Sequence, residues 1–361
     1  MSAIAIPREH EVSPGLWALA WRRLRSDSVA MVSLSIVAFF VLMMVASAVG
    51  LVANDWSREI GINYAPPTWF AEDAPPPSAA TANAPEVKPQ DDPGVTAQTG
   101  DKKEEESGVV DPLADVLKEV RTETAKAGPA VVEARAATLP FGADKWGRDV
   151  LRKVIKGSET SIFVGLASAV VAVFLGTILG ALAGFYGKWV DDFLNWFYNI
   201  FTSIPYLLLI LAIAAVLNKK GMFTIILILG LTGWTGTFRL IRGEYLKHKE
   251  REYVRAADAI GASQTRRMFV HIFPNVSHVV LVQLSILVVA FIKSEVILSF
   301  LGFGVPVDVV SWGSMLNEAQ SEMILGKWWQ LATAGTTMAI LVTAFSLFTD
   351  GLRDALDPKL K

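Results

Sequence analysis

The chain has 361 residues, of which 52% are hydrophobic and 19% are charged, and its net charge is −2. A soluble domain carries about a quarter of its residues as charged side chains, so this composition indicates a membrane protein. The absence of cysteine excludes disulfides, zinc–thiolate sites and cysteine nucleophiles.

Six apolar runs are long enough, or nearly so, to form a membrane-spanning helix, which needs about 20 residues. They are residues 29–53, 161–186, 193–217, 221–238, 276–292 and 328–349. Pro205 interrupts the third run, and the fifth can extend to Phe300. Because backbone polar groups in lipid must be satisfied within the segment, these runs predict helices. The predicted fold class is an all-α integral membrane protein with six transmembrane helices.

The first run contains Ala46-Ser47-Ala48, which resembles a signal-peptide cleavage site. However, 28 residues precede the run, and its apolar core is longer than the roughly 7–15 residues of a signal peptide. The run therefore predicts an uncleaved anchor. With both termini in the cytoplasm, 16 Lys and Arg residues fall on inner segments and four on short outer loops. This positive-inside bias outweighs an outer basic cluster at 145–156, since long outer segments escape the rule.

Residues 54–138 predict a long periplasmic insertion after the first helix. The segment holds 10 of the 17 prolines, with 16 acidic and 8 basic residues. Low hydrophobicity, acidic charge and proline predict loose order. Two interpretations stay open, a solvated spacer and a docking surface for an outer soluble partner.

Glycines recur every fourth residue in the second run, at Gly176, Gly180 and Gly184. In a helix they lie close to one face and allow another helix to approach closely, so they predict a helix–helix seam. The alternative is that glycine is simply common in membrane helices.

Several polar residues lie within or beside the apolar runs. Lys293 and Glu295 are two residues apart and so point in different directions, which allows Glu295 to face a pathway or gate while Lys293 snorkels outward. The alternative places both at the interface without a specific role. Asn195 and Asn199 share a helix face, and either line a polar path or bond between helices. The glycine-rich segment 299–312 predicts a re-entrant or surface-lying loop.

Catalytic motifs are absent from the sequence. It has no GxxxxGK[ST] phosphate loop, and its four histidines lack metal-binding spacing such as HExxH. There is no nucleophile elbow and no aromatic-interleaved basic patch for nucleic acid. The chain is therefore predicted to be non-catalytic and to bind no cofactor or metal, so that any ATP it depends on is hydrolysed by another chain.

The charged segment 251–274, REYVRAADAIGASQTRRMFVHIFP, lies between two apolar runs. It predicts one helix over 253–260, an end at Gly261, a second helix capped by Ser263, and a return towards the membrane at Pro274. Small side chains on this helical hairpin suit entry into a groove on a soluble partner. The candidate docking residues are Glu252, Arg255, Ala256, Ala257, Gly261, Ala262, Ser263 and Pro274.

This segment resembles the EAA loop of ABC-transporter permeases, a pattern of E-A-A, three residues, G, nine residues, I, one residue, L-P. Ala256, Ala257, Gly261 and Pro274 match it, while Arg255 stands where glutamate is typical. His271 and Phe273 likewise replace the isoleucine and leucine. The resemblance implies contact with an ATPase by shape and by interactions other than the usual salt bridge of that glutamate.

Other segments resemble the C-type subunit of the dipeptide/oligopeptide permease family. They are PFGADKWGRDVLRKVIKG at 140–157, LSFLGFGV at 298–305, SWG at 311–313 and DGLRDALDP at 350–358. The resemblance is strong over 139–361 and weak over 15–53. It implies the type I importer fold in a bacterial inner membrane, a B-type permease as partner in a heterodimer, two ATP-binding subunits that carry ATP and Mg²⁺, and a periplasmic binding protein that delivers peptide.

The predicted organisation has five parts. These are a cytoplasmic tail at 1–28, a first helix at 29–53, the insertion at 54–138, a five-helix core at 139–349 with a cytoplasmic coupling loop at 239–275, and a cytoplasmic tail at 350–361. The functional alternatives are a permease for another solute such as nickel, an opine or a modified peptide, an ion-gradient-driven secondary transporter, and a membrane anchor for the acidic insertion.

Overall fold

The structure is a computed structural model that describes residues 16–73 and 135–356. Within these ranges the secondary structure is helical, with isolated β-bridges and no strand. The helices are α1 (Leu16–Ser26), α2 (Ser28–Ala48), α3 (Val150–Tyr186), α4 (Lys188–Thr202), α5 (Tyr206–Leu217), α6 (Met222–Thr232), α7 (Thr235–Lys249), α8 (Glu252–Ala259), α9 (Gln264–Arg266), α10 (Phe273–Phe300), α11 (Trp312–Ile324) and α12 (Trp329–Leu356). A 3₁₀ turn covers Thr68–Asp73, and a π-helical turn covers Arg267–Ile272.

Five helical segments of the described part are long and apolar enough to cross a membrane. They are Ser28–Ala48, Val150–Tyr186, Met222–Lys249, Gln264–Phe300 and Trp329–Leu356. A sixth crossing is available if α4 and α5 count as one span, since they pass the same test together but bend by 83° at the break before Pro205. The six predicted spans match this upper count. Several helices extend beyond the apolar runs, because amphipathic turns continue the helix past its most apolar part.

Helix α3 lies at the centre of the bundle and packs against α2, α6, α7 and α10. Its Val150 end is called here the insertion end of the bundle, and its Tyr186 end the loop end. Trp312 of α11 is fully buried against the insertion end, where its Nε1–H donates to the Val154 carbonyl oxygen at 3.1 Å. The residues between α10 and α11 therefore fold back onto α3 through turns, with Val310 and Ser311 buried.

The glycines at 176, 180 and 184 all face α7. A Cβ on Gly176 would lie 2.6 Å from Thr237 Cβ, one on Gly180 would lie 2.7 Å from the Phe238 carbonyl oxygen, and one on Gly184 would lie 2.6 Å from that of Arg242. Successive contacts step by about one turn along both helices. The two backbones therefore approach more closely than any side chain would allow.

The two described ends of the insertion meet at the insertion end of the bundle. The Gly61 N–H donates to the Gly147 carbonyl oxygen at 2.9 Å, and Arg135 pairs with Glu59 at 2.6 Å. The predicted acidic, proline-rich insertion itself falls mainly on residues 74–134, which lie outside the described residues.

A buried charged cluster joins the segment before α3 to α11 and α12. Lys153 is 1% exposed, and its Nζ donates to Asp144 Oδ2 at 2.8 Å and to Glu318. Asp144 is completely buried and also accepts from the backbone N–H groups of Trp146 and Arg148. Gln330 donates to the Met315 carbonyl oxygen at 3.1 Å. Because a buried charge is tolerated only when paired and hydrogen-bonded, this cluster fixes the relative positions of the three segments.

Glu322 lies beside the cluster and differs from its other members. It is fully buried, and neither carboxylate oxygen has a hydrogen-bond partner of normal geometry among the described residues. Burial raises the pKa of Glu322 to about 7, Lys153 opposes that rise, and the charges of Asp144 and Glu318 add to it. The carboxyl group is therefore held protonated well above its ordinary pKa.

The seam predicts that Gly180→Ala destabilises the fold. The added Cβ meets the backbone of α7, and such overpacking costs about 1–3 kcal/mol. Gly243→Ala is the matched control, because a Cβ there meets nothing within 4 Å. We expect thermal unfolding in detergent to occur at a lower temperature for Gly180→Ala only. Equal melting temperatures for the two variants would contradict the seam.

Glu322 predicts a specific pH dependence of stability. Its folded pKa of about 7 lies above the ordinary value of 4.5, so the folded state holds a proton that the unfolded state loses. The free energy of unfolding should therefore fall as the pH rises from 4.5 to about 7. Glu322→Gln should remove the part of this decrease in unfolding free energy that the Glu322 proton causes. Thermal unfolding across this pH range measures it. Glu250→Gln, at an exposed carboxyl at the loop end, should leave it unchanged.

Candidate functional site

The charged segment forms a helical hairpin at the loop end of the bundle. Helix α8 lies across the end of α7, and α9 follows after a short turn. Val254, Met268 and Ile272 are buried with Tyr245 of α7 and Phe185 of α3 in one apolar cluster. The hairpin is therefore anchored on the ends of the two helices that the glycine seam holds together.

The turn between the two helices has the predicted form. Gly261 has φ of +86°, the Ala262 N–H donates to the Ala257 carbonyl oxygen, and the Gly261 N–H donates to that of Asp258, both at 2.9 Å. This pair of bonds is a Schellman motif, which satisfies the last carbonyls of α8. Ser263 caps α9, and its Oγ accepts from the Arg266 N–H at 3.4 Å.

The expectation of a separate second helix that ends before Pro274 is wrong, since the return towards the membrane is made by the same continuous helix. Pro274 is the second residue of α10, and helical structure runs without a break from Gln264 to Phe300. Pro274 has no N–H to donate, and the preceding turn Arg267–Ile272 is a wider π-helical turn. The second helix of the hairpin is therefore the extended end of the span α10, and a displacement of the hairpin acts directly on that span.

The exposed surface of α8 differs from the one expected. Ala257 is buried at 4% exposure together with Val254, since positions three apart share the inward face. Ala257 therefore anchors the hairpin and does not enter a partner's groove, whereas Glu252, Arg255 and Ala256 are exposed. The tip carries Ile260 at 86% exposure. Phe269 and Val270 of the π-helical turn are also exposed, so the hairpin presents an apolar surface to its surroundings.

Ion pairs of the hairpin are internal to the chain. Arg255 pairs with Glu250 at 2.8 Å on the surface, and Arg267 pairs with Asp258 at 2.7 Å while its guanidinium lies over the Phe185 ring at 5.6 Å. Arg255 thus has an acid of its own chain as partner. These residues, with Lys249 and Gln264, surround a polar groove of about 320 Å³ beside α8.

Helix α7 links the hairpin to the bundle through two polar contacts. The buried Tyr245 hydroxyl donates to the Met268 carbonyl oxygen at 3.2 Å, inside the π-helical turn. Arg242 makes a bidentate ion pair with Asp191 of α4, with Nε–Oδ1 at 2.5 Å and Nη2–Oδ2 at 2.6 Å. A bidentate pair fixes orientation as well as distance, so α4 and α7 are held in register at the loop end.

The polar residues proposed for a pathway take other places. Asn195 donates to Asp191 Oδ1 at 2.7 Å within the same helix, and so holds the carboxylate that Arg242 binds. Asn199 is exposed on α4. Glu295 is completely buried, and its Oε1 accepts from Ser299 Oγ at 2.7 Å. The expectation that Glu295 faces a pathway is therefore wrong, because the turns after α10 cover it.

Three features of the site were not foreseen from the sequence. The Arg267–Asp258 pair joins residues nine apart across a turn, and the Arg242–Asp191 pair joins two helices 51 residues apart, which no local pattern reveals. The exposure of Ile260 could have been predicted from its position in the sequence. It directly precedes the turn glycine, where a helix ends and its last apolar side chain leaves the buried face.

A bundle of helices long and apolar enough to cross a membrane defines an integral membrane protein, and comparison with known proteins identifies it as a permease. The family model described as binding-protein-dependent transport system inner membrane component matches residues 176–361. A second model, the N-terminal TM domain of oligopeptide transport permease C, matches residues 15–67. The chain belongs to the family of binding-protein-dependent transport system inner membrane components.

Its relatives include permeases of peptide transport systems. The oligopeptide transport system permease protein OppC of Bacillus subtilis is 38% identical over 221 residues, which are 61% of this chain and 72% of that protein. The dipeptide transport system permease protein DppC of the same species is 37% identical over 61% of this chain and 69% of that protein. The di/tripeptide transport system permease protein DppC of Pseudomonas aeruginosa is 35% identical over 64% and 76%.

The turn at Gly261 predicts different outcomes for two substitutions. A β-branched residue in the left-handed region costs about 1–2 kcal/mol, whereas asparagine tolerates it. Gly261→Val should therefore speed hydrogen exchange of the α8 amides about tenfold relative to Gly261→Asn, since tenfold corresponds to about 1.4 kcal/mol. Mass spectrometry of peptides from 252–262 measures the effect. Equal protection in the two variants would contradict the conformation described.

Proposed function

We propose that the chain is the C-type permease subunit of an ATP-driven importer of di- and oligopeptides. Its relatives are named as permease proteins of oligopeptide, dipeptide and di/tripeptide transport systems, and they match 61–64% of the chain. In this proposal the chain forms a heterodimer with a B-type permease and provides half of the translocation pathway. Two ATP-binding subunits and a periplasmic substrate-binding protein complete the complex.

The proposed orientation in the inner membrane places the hairpin and both termini in the cytoplasm. Its support is the excess of Lys and Arg on the segments that would then lie inside. The insertion at 54–138 would lie in the periplasm, as a spacer or as a docking surface for the binding protein. With the insertion as a docking surface, the chain would contact soluble partners on both sides of the membrane, through the hairpin in the cytoplasm and through the insertion in the periplasm.

The hairpin is proposed as the contact with the ATP-binding subunits. ATP and Mg²⁺ would be bound by those subunits, and this chain would contribute no catalytic group. Ile260 at the tip and Phe269 and Val270 of the π-helical turn are exposed apolar side chains of the hairpin, and they support the proposal because exposed apolar surface marks interaction sites. The exposed residues Glu252, Arg255 and Ala256 would surround that tip in the contact.

The connection of the hairpin to α10 and α7 gives the proposed coupling a physical route. Closure of the ATP-binding subunits would displace α8. Because α8 is packed on Tyr245 and Phe185, and the helix that follows the Gly261 turn continues into α10, the displacement would be passed to α7, α3 and α10 together. Two arrangements of these helices would then open the pathway to one side or the other, as in other two-state transport elements.

Two other functions make different predictions. A permease for another solute, such as nickel or a modified peptide, would have the same fold and loop and would differ in the solute that drives its ATPase. An ion-gradient-driven secondary transporter would need no ATPase and would rely on buried ionisable groups such as Glu295. The apolar, exposed hairpin favours the ATP-driven alternative.

The test uses two isoleucines of equal exposure at opposite ends of the molecule. Ile260→Asp should abolish co-purification of the ATP-binding subunits in mild detergent and peptide uptake in proteoliposomes, while membrane insertion stays normal. Ile324→Asp is the matched control, since Ile324 is 87% exposed at the insertion end and Ile260 is 86% exposed at the loop end.

The outcomes separate the hypotheses. Normal co-purification and uptake with Ile260→Asp would contradict docking through this tip. If no ATP-binding subunit co-purifies with the wild-type chain, the ATP-driven proposal fails. If the ATPase is stimulated by a non-peptide solute and by no peptide, the substrate class is wrong.

A further inference from the structure

One face of α10 is left uncovered by the rest of the described chain, and it carries a charge. Lys293 is exposed, whereas its neighbours Ile292 and Ser294 are buried. The helix belongs to a segment long and apolar enough to cross a membrane. A charged side chain in such a segment is costly in lipid and faces water or protein. At this face Lys293 meets water, another subunit or, by snorkelling, the membrane surface.

A cavity of about 240 Å³ between α10 and α12 contains Lys293 together with an acid. Asp350 of α12 lines the same cavity, as do the polar residues Ser346 and Thr349. Neither Lys293 nor Asp350 has an ion-pair partner among residues 16–73 and 135–356. The cavity thus offers one positive and one negative group whose charges are not used within the described chain.

A second cavity continues along the same face of α10 towards the loop end. It has a volume of about 420 Å³ and shares Ile286 with the first. Its polar groups are Glu244, His278, Gln283 and Arg353, again with charges of both signs. The two cavities share a lining residue and together carry charged groups of both signs beside apolar side chains, which suits a solute that carries both charges and apolar side chains.

We propose that Lys293 and Asp350 bind the two charged termini of a peptide as it crosses the membrane, with Lys293 at the carboxylate and Asp350 at the ammonium group. The inference rests on the proposed function and names the chemistry of its pathway. A zwitterion loses hydration when it enters an apolar passage, and fixed groups of opposite sign replace part of that hydration. Linear peptides with free termini carry both charges, whereas peptides blocked at one end lack one.

The experiment measures uptake by the complete transporter in proteoliposomes. One labelled tripeptide is used in three forms, with free termini, with a C-terminal amide and with an N-terminal acetyl group. For each form, the initial rate of a variant is divided by that of the wild type. The binding protein is the same in both assays, so its own preference cancels from the ratio.

Lys293→Met should lower the ratio for the free peptide about tenfold, which corresponds to about 1.4 kcal/mol, and should leave that for the amide within about twofold of 1. Asp350→Asn should show the mirror pattern, with the acetylated form spared. Lys293→Arg keeps the charge and should restore uptake of the free peptide. Lys220→Met, at an exposed lysine outside the helices, controls for loss of a positive charge.

Two results overturn the inference. They are unchanged ratios and equal losses for all three peptide forms. A wild-type complex that hydrolyses ATP but takes up no form of the peptide contradicts the proposed function itself, and so is distinguishable from failure of the inference.

Discussion

The close approach of α3 and α7 is the constraint on which the loop end of the molecule depends. Three glycines on α3 allow the backbone of α7 to lie where any side chain would collide with it. That contact sets the position of Tyr245, whose hydroxyl holds the Met268 carbonyl, and of Phe185, which lies beneath Val254 and Arg267. A hairpin fixed to two helices in this way moves with them as a unit, which is what transmission of a displacement requires.

The hairpin contributes little stability of its own. Its Arg255–Glu250 pair is exposed on both sides, and pairs of that kind are worth about 0–1 kcal/mol. The order comes from the inward face, where Val254, Ala257 and Met268 are buried. The outward face is free of such contacts, so its residues are available for a partner without disturbing the anchor. Arg255 lies on the outward face, and Glu250 of the same chain neutralises its charge.

Much of the fold follows from local patterns. Uninterrupted apolar runs located the spans, and a glycine followed by a serine two residues later located the end of α8 and the cap of α9. The break at Pro205 was visible as well, although the 83° bend was not. Local patterns failed where the outcome depends on distant segments. Continuity through Pro274 is one case, because the π-helical turn Arg267–Ile272 that precedes it carries the helix past the missing N–H, and no local pattern indicated that turn.

The candidate site was less predictable for the same reason. Helical periodicity places Ala257 with Val254, but only the position of α7 shows that this face is inward. Likewise, a spacing of two residues places Lys293 and Glu295 in different directions, and the structure agrees. Which of the two is covered depends on the turns between α10 and α11, whose fold no periodicity describes. These turns bury Glu295 and leave Lys293 exposed.

Exposure has different meanings in the two environments of this chain. Exposed apolar residues on the spans, such as Trp189, Phe193 and Trp196 of α4, are compatible with contact to lipid and indicate no protein partner. Ile260 and Lys293 are different, because each is unfavourable in its surroundings, an apolar side chain on a charged hairpin and a charge on an apolar helix. Both lie along one continuous mechanical unit, the hairpin and α10. A protein partner would cover Ile260, and a charged solute would pair with Lys293. The helix α10, which receives the displacement of the hairpin, therefore also presents the charge that a solute would meet.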